Sequence, residues 1–334
     1  MRAPEFWDAA PGLLAQLLSP VGAAVDAAGR LRRAVMRPYR APVPVICVGN
    51  LVAGGSGKTP VVLSLAAMLQ AREIAAAIVM RGYGGRLAGP LRVDPETHDA
   101  NAVGDEALLA AAAAPCIVAR DRAAGVRLAV EAGAAAILLD DGFQNPHVAK
   151  DLSLVVVDAA YCFGNCRLIP AGPLRERIAD GLARAAAIVL IGPTPPDNSE
   201  PGALAAAGRP VLRAALDPVG AAEFAGARVV AFAGIGRPAK FFATLRALGA
   251  QTIAERGFPD HHRFGAGELA ALRREAESAD ALLVTTRKDW VRLTPAERSG
   301  IAVLDVALRW QDEAALAALL APVVERIGDG RRSA

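Results

Sequence analysis

The chain has 334 residues, 53% of them hydrophobic and only 4% aromatic, which is enough material for a large core of small aliphatic side chains and for two domains of ordinary size. A formal net charge of +3 argues against a general nucleic-acid binder. The cysteines, Cys47, Cys116, Cys162 and Cys166, lack CxxC spacing, which argues against a zinc module and fits reduced thiols in a cytosolic setting.

The first distinct segment runs from Asp8 to Asp26, between which every residue is uncharged, and it is followed by Arg30, Arg32, Arg33, Arg37 and Arg40. A bilayer span takes about 20 apolar residues, and Pro11, Gln16, Ser19 and Pro20 interrupt this stretch. A cleaved leader would carry its basic cluster in front of the apolar run, and here the cluster comes after it. Leu13, Leu17, Val21 and Val25 recur every four residues, with Leu14 and Leu18 beside them, so the spacing predicts a helix with one apolar face. Such a face can lie in the interface of an anionic membrane, with arginines at the head groups, or pack on the protein's own core.

Residues 45–60 read VICVGNLVAGGSGKTP, an apolar strand from Val45 to Val48 leading into a glycine-rich turn and then an apolar helix from Val61 to Leu69. This is the context of a phosphate-binding loop. Small residues (Gly54, Gly55, Ser56 and Gly57) let backbone N–H groups face phosphate oxygens, Lys58 supplies a charge for the β- and γ-phosphates, and the Thr59 hydroxyl is a ligand for Mg2+. The first glycine of a full Walker A pattern is replaced by Val52.

Further apolar strands are predicted at Ile74 to Arg81, Cys116 to Ala119, Ala134 to Leu139, Leu152 to Val157 and Ala186 to Ile191, alternating with helical stretches. That alternation indicates a parallel sheet covered by helices. Residues 193–209, rich in Pro, Gly and Ala, read as a surface connection. A second alternating region follows, with strands at Arg228 to Gly236, Ala281 to Thr286 and Ile301 to Val306. The expected fold is therefore α/β: an amino-terminal helical segment (1–40), a P-loop domain with a parallel sheet (41–218), and a smaller α/β lobe (219–334) that closes the cleft.

Several groups could carry chemistry. A strand ends in Asp140 and Asp141, where P-loop proteins place an acid for Mg2+; adjacent side chains on a strand point in opposite directions, so one can face the metal while the other orients water or a basic residue. Asp105 and Glu106 stand at a predicted helix start, as a site or as acids favoured by the helix dipole. Asp260, His261 and His262 share a polar loop; a histidine there can take a proton from a hydroxyl, hold a carboxylate base, or simply face solvent. Arginines in RGYGG (Arg81 to Gly85), at Arg120 to Arg122 and in LIPAGPLRER (Leu168 to Arg177) can bind phosphate bidentately.

Taken in order, GNLVAGGSGKTP, RGYGG, GDEALL, DDGFQ, LIPAGPLRE, AFAGIGRPAKFF, FPDHHRF and TTRKDW resemble the tetraacyldisaccharide 4'-kinase family of lipid A biosynthesis, and the displaced glycine at Val52 is part of that resemblance. It implies transfer of the ATP γ-phosphate, with Mg2+, to the 4'-hydroxyl of tetraacyldisaccharide 1-phosphate, giving lipid IVA. It also implies a peripheral or monotopic enzyme on the cytoplasmic face of a bacterial inner membrane, with no nucleic-acid or protein partner. By the resemblance, Lys58 and Thr59 bind phosphate and Mg2+, Asp105 is the base with His261 as its partner, and Glu106, Asp140 and Asp141 lie near the metal. Arg81, Tyr83, Arg122, Arg175 and Glu176 are then candidates for substrate or phosphate contacts. A membrane-associated P-loop switch or assembly ATPase is the rival reading, but its extra early lysine is missing from Asn50 to Ser56. A kinase with a soluble acceptor is a third, for which the apolar helix would be an odd accessory.

Overall fold

In a computed structural model, which describes residues 4–193 and 202–332, the chain forms β1 (Val45–Gly49), β2 (Ala76–Met80), β3 (Leu91–Arg92), β4 (Cys116–Val118), β5 (Ala136–Asp140), β6 (Leu152–Asp158), β7 (Ala187–Ile191), β8 (Val211–Val219), β9 (Arg228–Ala233), β10 (Gln251–Gly257), β11 (Leu282–Thr286) and β12 (Ile301–Trp310). These strands make one sheet in the order β10-β9-β11-β12-β8-β7-β6-β1-β5-β2-β4-β3. All neighbours are parallel except β8 with β12 and β3 with β4. The fold is thus mixed α/β with a large, mostly parallel sheet and an amino-terminal helix.

The central strands are apolar throughout because both faces are covered. In β1, Ile46 and Val48 face one core and Val45 and Cys47 the other. The first core holds Val61, Val62, Leu65 and Leu69 of the helix Lys58–Gln70 and Leu316, Leu320, Val323 and Ile327 of the helix Glu313–Arg332. The second holds Ala123, Val126 and Ala129 of the helix Arg122–Glu131. The chain winds from β1 to β2 on one side and crosses from β5 to β6 on the other, so winding reverses at β1. Ligands of such sheets bind at that reversal, beyond the carboxyl ends of the strands, which is where the glycine-rich turn lies.

Strands β10-β9-β11-β12 form a four-stranded parallel wing with its own cores: Phe241, Phe242 and Leu245 on one face, Leu269, Leu272 and Ala276 on the other. The wing is continuous with the main sheet, because β12 pairs with β8 from Trp310↔Ala214 to Asp305↔Val219. The boundary expected between 218 and 219 falls at the end of β8. Of the connection expected over 193–209, residues 194–201 lie outside the described residues, and Gly202–Ala205 is a short helix.

The amino-terminal helix spans Leu13–Val35. Its apolar stripe faces outward, with Leu13 73% and Leu17 67% exposed, whereas Ala15, Gly22 and Asp26 are buried beneath it. Of the two placements open to the apolar face, the protein's own core is therefore not the one adopted. Among the described residues no helix is long and apolar enough to cross a membrane.

Trp310 joins β12 to the P-loop helix: its ring is buried and its indole N–H donates to Ser64 Oγ at 2.8 Å. Trp310→Ala is expected to destabilise the protein by about 3–5 kcal/mol, read as a lower urea midpoint.

Candidate active site

The turn after β1 is held open from below. Asn50, fully buried, donates through Nδ2 to Ser56 Oγ at 2.9 Å, which anchors one end of the loop to the other. Gly54 and Gly57 take left-handed φ values of 111° and 83°, and a Cβ on Gly57 would come within 2.7 Å of Ile191. Gly54 and Gly55 have open space where a side chain would be, as a loop that lets phosphate approach its backbone requires. The helix beginning at Lys58 has no side-chain cap, so its first N–H groups and the positive end of its dipole point into the turn.

The two aspartates at the end of β5 diverge. Asp140 accepts from the Thr59 hydroxyl at 3.3 Å through Oδ2, and its buried Oδ1 has no hydrogen-bond partner. Burial, with repulsion from Glu106 and Asp141 outweighing attraction to Lys58, pushes the Asp140 carboxyl up to about 7. Asp141, at φ 53°, turns away and meets Arg175 Nη1 at 2.7 Å and Lys58 Nζ at 3.8 Å. Burial opposes ionisation of Asp141, but Lys58 and Arg175 outweigh it and hold its carboxyl below the usual range. An orphaned carboxylate oxygen beside a threonine hydroxyl, where repulsion from Glu106 and Asp141 exceeds the attraction of Lys58, suits a hard divalent cation. Among the described residues no group of three or more His, Cys, Asp or Glu side chains is placed to hold a metal, so such an ion would take other oxygens from phosphate and water.

Asp105 and His261 meet across the site: His261 Nδ1 lies 2.9 Å from Asp105 Oδ2. Asp105 opens the helix Asp105–Ala113, where its Oδ1 accepts from the Glu106 N–H at 2.8 Å. His261 sits at φ 58° in the loop after β10, and its ring packs 5.4 Å from that of Tyr83. Two cations missed by motif reading complete the cluster. Arg292 donates from Nε to Asp105 Oδ2 at 2.8 Å, and Lys288 Nζ lies 3.2 Å from Glu106 Oε1. Lys288 falls inside TTRKDW, whereas Arg292 lies beyond it with no local pattern to mark it. Burial works against the charge on Asp105, yet His261, Lys288 and Arg292 together hold its carboxyl far below the usual range.

The remaining predicted residues divide. Arg81 and Tyr83 are exposed, Tyr83 with its ring beside that of His261, while Arg122 is buried with Nη1 on the Ala119 carbonyl at 2.6 Å. Arg175 is committed to Asp141 and Gln144. Glu176 is fully buried: it pairs with Arg184 at 2.7 Å and with Arg33 of the amino-terminal helix at 3.4 Å, and accepts from Gln144 Nε2 at 3.0 Å. Gln144 Nε2 also donates to the Asn50 carbonyl at 2.8 Å, so a line of polar contacts runs from that helix to the P-loop. Asn50 and Gln144 lie inside GNLVAGGSGKTP and DDGFQ, but neither carries a titratable group and local sequence does not show what each would bond.

A glycine turn on an open helix end, a threonine beside a buried acid, and an Asp–His pair match the parts of a P-loop phosphotransferase. Residues 14–325 match the family model described as tetraacyldisaccharide-1-P 4'-kinase. The chain is 56% identical over 330 residues to the tetraacyldisaccharide 4'-kinase of Rhodospirillum centenum, covering 97% of each chain. It is 50% identical over 328 residues to that of Rhodospirillum rubrum, covering 96% of this chain and 97% of the relative. The crystal structure of LpxK from Aquifex aeolicus in complex with ATP superposes with a TM-score of 0.76 at 27% identity, covering 93% of this chain and 99% of that one. The chain belongs to the tetraacyldisaccharide-1-P 4'-kinase family, and its activity is the tetraacyldisaccharide 4'-kinase step of lipid A biosynthesis.

Two outcomes follow from the geometry. Asn50→Ala removes the buried anchor of the loop and is expected to weaken nucleotide binding about tenfold, the worth of roughly 1.4 kcal/mol, by calorimetric titration. Because the Asp105 carboxyl titrates lower in the fold than its unfolded value of about 3.9, its charge contributes stability above that pH, and the contribution is lost as pH falls below it. Asp105→Asn should therefore lose less thermal stability than the parent between about pH 6 and about pH 3.

Proposed function

We propose that the chain moves the γ-phosphoryl group of ATP to the 4'-hydroxyl of tetraacyldisaccharide 1-phosphate, using the P-loop as the donor site and Asp105 with His261 as the proton acceptor, at a membrane surface. The contact of Asp105 with His261 carries this reading, because it sets a proton-accepting group opposite a phosphate loop. Backbone N–H groups of Gly54, Gly55, Ser56 and Gly57 would bind phosphate oxygens, and Lys58, aligned by Asp141, would neutralise the β- and γ-phosphates. Thr59, Asp140 and Glu106 would hold Mg2+, which when bound offsets charge on the transferring group.

On the acceptor side, a carboxylate offers no proton, so the short contact requires Nδ1 of His261 to carry one. Both Asp105 oxygens are engaged, Oδ1 by Glu106 N–H and Oδ2 by His261 and Arg292. Nε2 of His261, 3.7 Å from Asp260 Oδ2, is then the atom that takes the proton of the hydroxyl, and the Asp105 charge stabilises the imidazolium. Arg81, Tyr83 and Arg122 would serve the sugar and phosphates. The wing that carries His261, read as the smaller lobe over 219–334, would cover the cleft and hold His261 against Asp105 during transfer.

The exposed stripe of Leu13, Leu14, Leu17, Val21 and Val25 supports peripheral attachment to the cytoplasmic face of a bacterial inner membrane, where a tetraacylated acceptor keeps its chains in lipid. The helix arginines are partly turned inward, Arg30 to Asp26 at 3.3 Å and Arg33 to Glu176 at 3.4 Å, so the apolar stripe supplies most of the attachment.

Transfer of labelled γ-phosphate from ATP to the purified acceptor in detergent micelles tests the reading. Labelled lipid that is absent with Lys58→Ala is expected; ATP hydrolysis without labelled lipid would favour a switch ATPase. Asp105→Ala should lower kcat by about 10²- to 10⁴-fold with little effect on ATP affinity, whereas Lys58→Ala should weaken both. Leu17→Glu with Val21→Glu should reduce co-sedimentation with anionic vesicles about tenfold or more while nucleotide binding stays at the parent value.

A further inference from the structure

We infer that Arg292 is a positioning residue for phosphoryl transfer: its guanidinium locks Asp105 in the one orientation that presents His261 to the acceptor hydroxyl. The inference rests on the dyad reading above. Arg292 follows the short helix Arg287–Trp290 at the end of β11, and its side chain is only 5% exposed. Every face of the fork is used. Nε and Nη2 both donate to Asp105 Oδ2, and Nη1 donates to the Gly234 carbonyl and to Asp289 Oδ1, each at 2.7 Å. Asp289 is in turn fully buried and fixed by the Gly234 N–H at 3.0 Å and the Thr286 hydroxyl at 2.6 Å.

The arrangement is more specific than an ion pair that merely joins two surfaces. A lysine could neutralise Asp105, but it could not hold Asp105, Gly234 and Asp289 in one plane at once. Both donors to Asp105 fall on Oδ2, the oxygen that also receives His261 Nδ1. Rotation of the carboxylate would break these contacts and the one to His261 together. His261 itself hangs from the same frame, since its N–H donates to the Gly234 carbonyl at 3.0 Å, the oxygen that Arg292 also grips. One guanidinium thus fixes both members of the dyad relative to each other without reaching the acceptor, and the effect belongs to kcat.

Steady-state kinetics on Arg292→Gln, Arg292→Lys, Arg292→Ala and Asp105→Asn, with acceptor in micelles, test this. Arg292→Gln is expected to lower kcat about 100-fold, with the ATP KM within about twofold of the parent. Guanidinium chloride at low millimolar concentration should restore part of the turnover of Arg292→Ala and none of that of Asp105→Asn. The Arg292→Gln/Asp105→Asn double variant should be no slower than Asp105→Asn alone, because the two act as one unit. A kcat for Arg292→Gln or Arg292→Lys close to the parent value overturns the inference. So does a multiplicative loss in the double variant, or a fall in thermal midpoint that accounts for the lost activity without guanidinium rescue. If Arg292→Ala does not fold, Arg292→Lys still decides, since it keeps the charge and loses the fork. Parent-like turnover of Asp105→Asn would instead sink the dyad reading, whereas an inactive Asp105→Asn beside a fully active Arg292→Gln sinks only the role of Arg292.

Discussion

A carboxylate that is 3% exposed remains ionised only where fixed donors and cations replace the water it has lost, and at Asp105 those replacements come from distant parts of the chain. His261 is 156 residues away and Arg292 is 187, and both belong to the wing formed by the later strands. Lys288, on the short helix just ahead of Arg292, pairs with the neighbouring Glu106 at 3.2 Å. The charge on Asp105 and the placement of the wing therefore support each other. A displaced wing would take His261 and Arg292 away from Asp105, and a neutral Asp105 would leave Arg292 with Asp289 as its remaining carboxylate partner.

The donor side depends on a different constraint. A parallel sheet whose winding reverses at β1 leaves a crevice at the carboxyl ends of β1, β5 and β6, and the glycine-rich turn occupies it. Because β5 is β1's neighbour, Asp140 and Asp141 arrive beside Lys58 and Thr59 by register alone. Opposite side-chain directions then assign Asp140 to the threonine and Asp141 to the lysine. The amino-terminal helix is tied into this frame through Arg33, Glu176, Gln144 and Asn50, so the segment that presents an apolar stripe outward is anchored by a buried acid two contacts from the P-loop.

Legibility in the chain followed how local each signal was. β1, β6, β7, β9 and β11 were readable because strands buried on both faces are continuous apolar runs. β10 was not, since it is the sheet's edge and its residues, including Glu255 and Arg256, are mostly solvated. β8 was hidden by half-burial and by Pro218, which is tolerated there opposite Val306 in the antiparallel junction. The missed β8 is what makes the sheet continuous.

The sequence by itself determined the chemistry of the donor site, because strand, glycine turn, lysine and threonine are contiguous and their geometry follows from backbone rules of a few residues' range. It also determined the apolar stripe, through its periodicity, but not the side on which that stripe lies. Only the tertiary structure decided that the stripe faces outward, that Glu176 is buried instead of open to a substrate, and that Asn50, Gln144, Lys288 and Arg292 belong to the site. The physical reason is that these are pairings of polar groups across long stretches of chain. Which carboxylate meets which cation depends on strand order and on desolvation, and neither is encoded in the spacing of neighbouring residues.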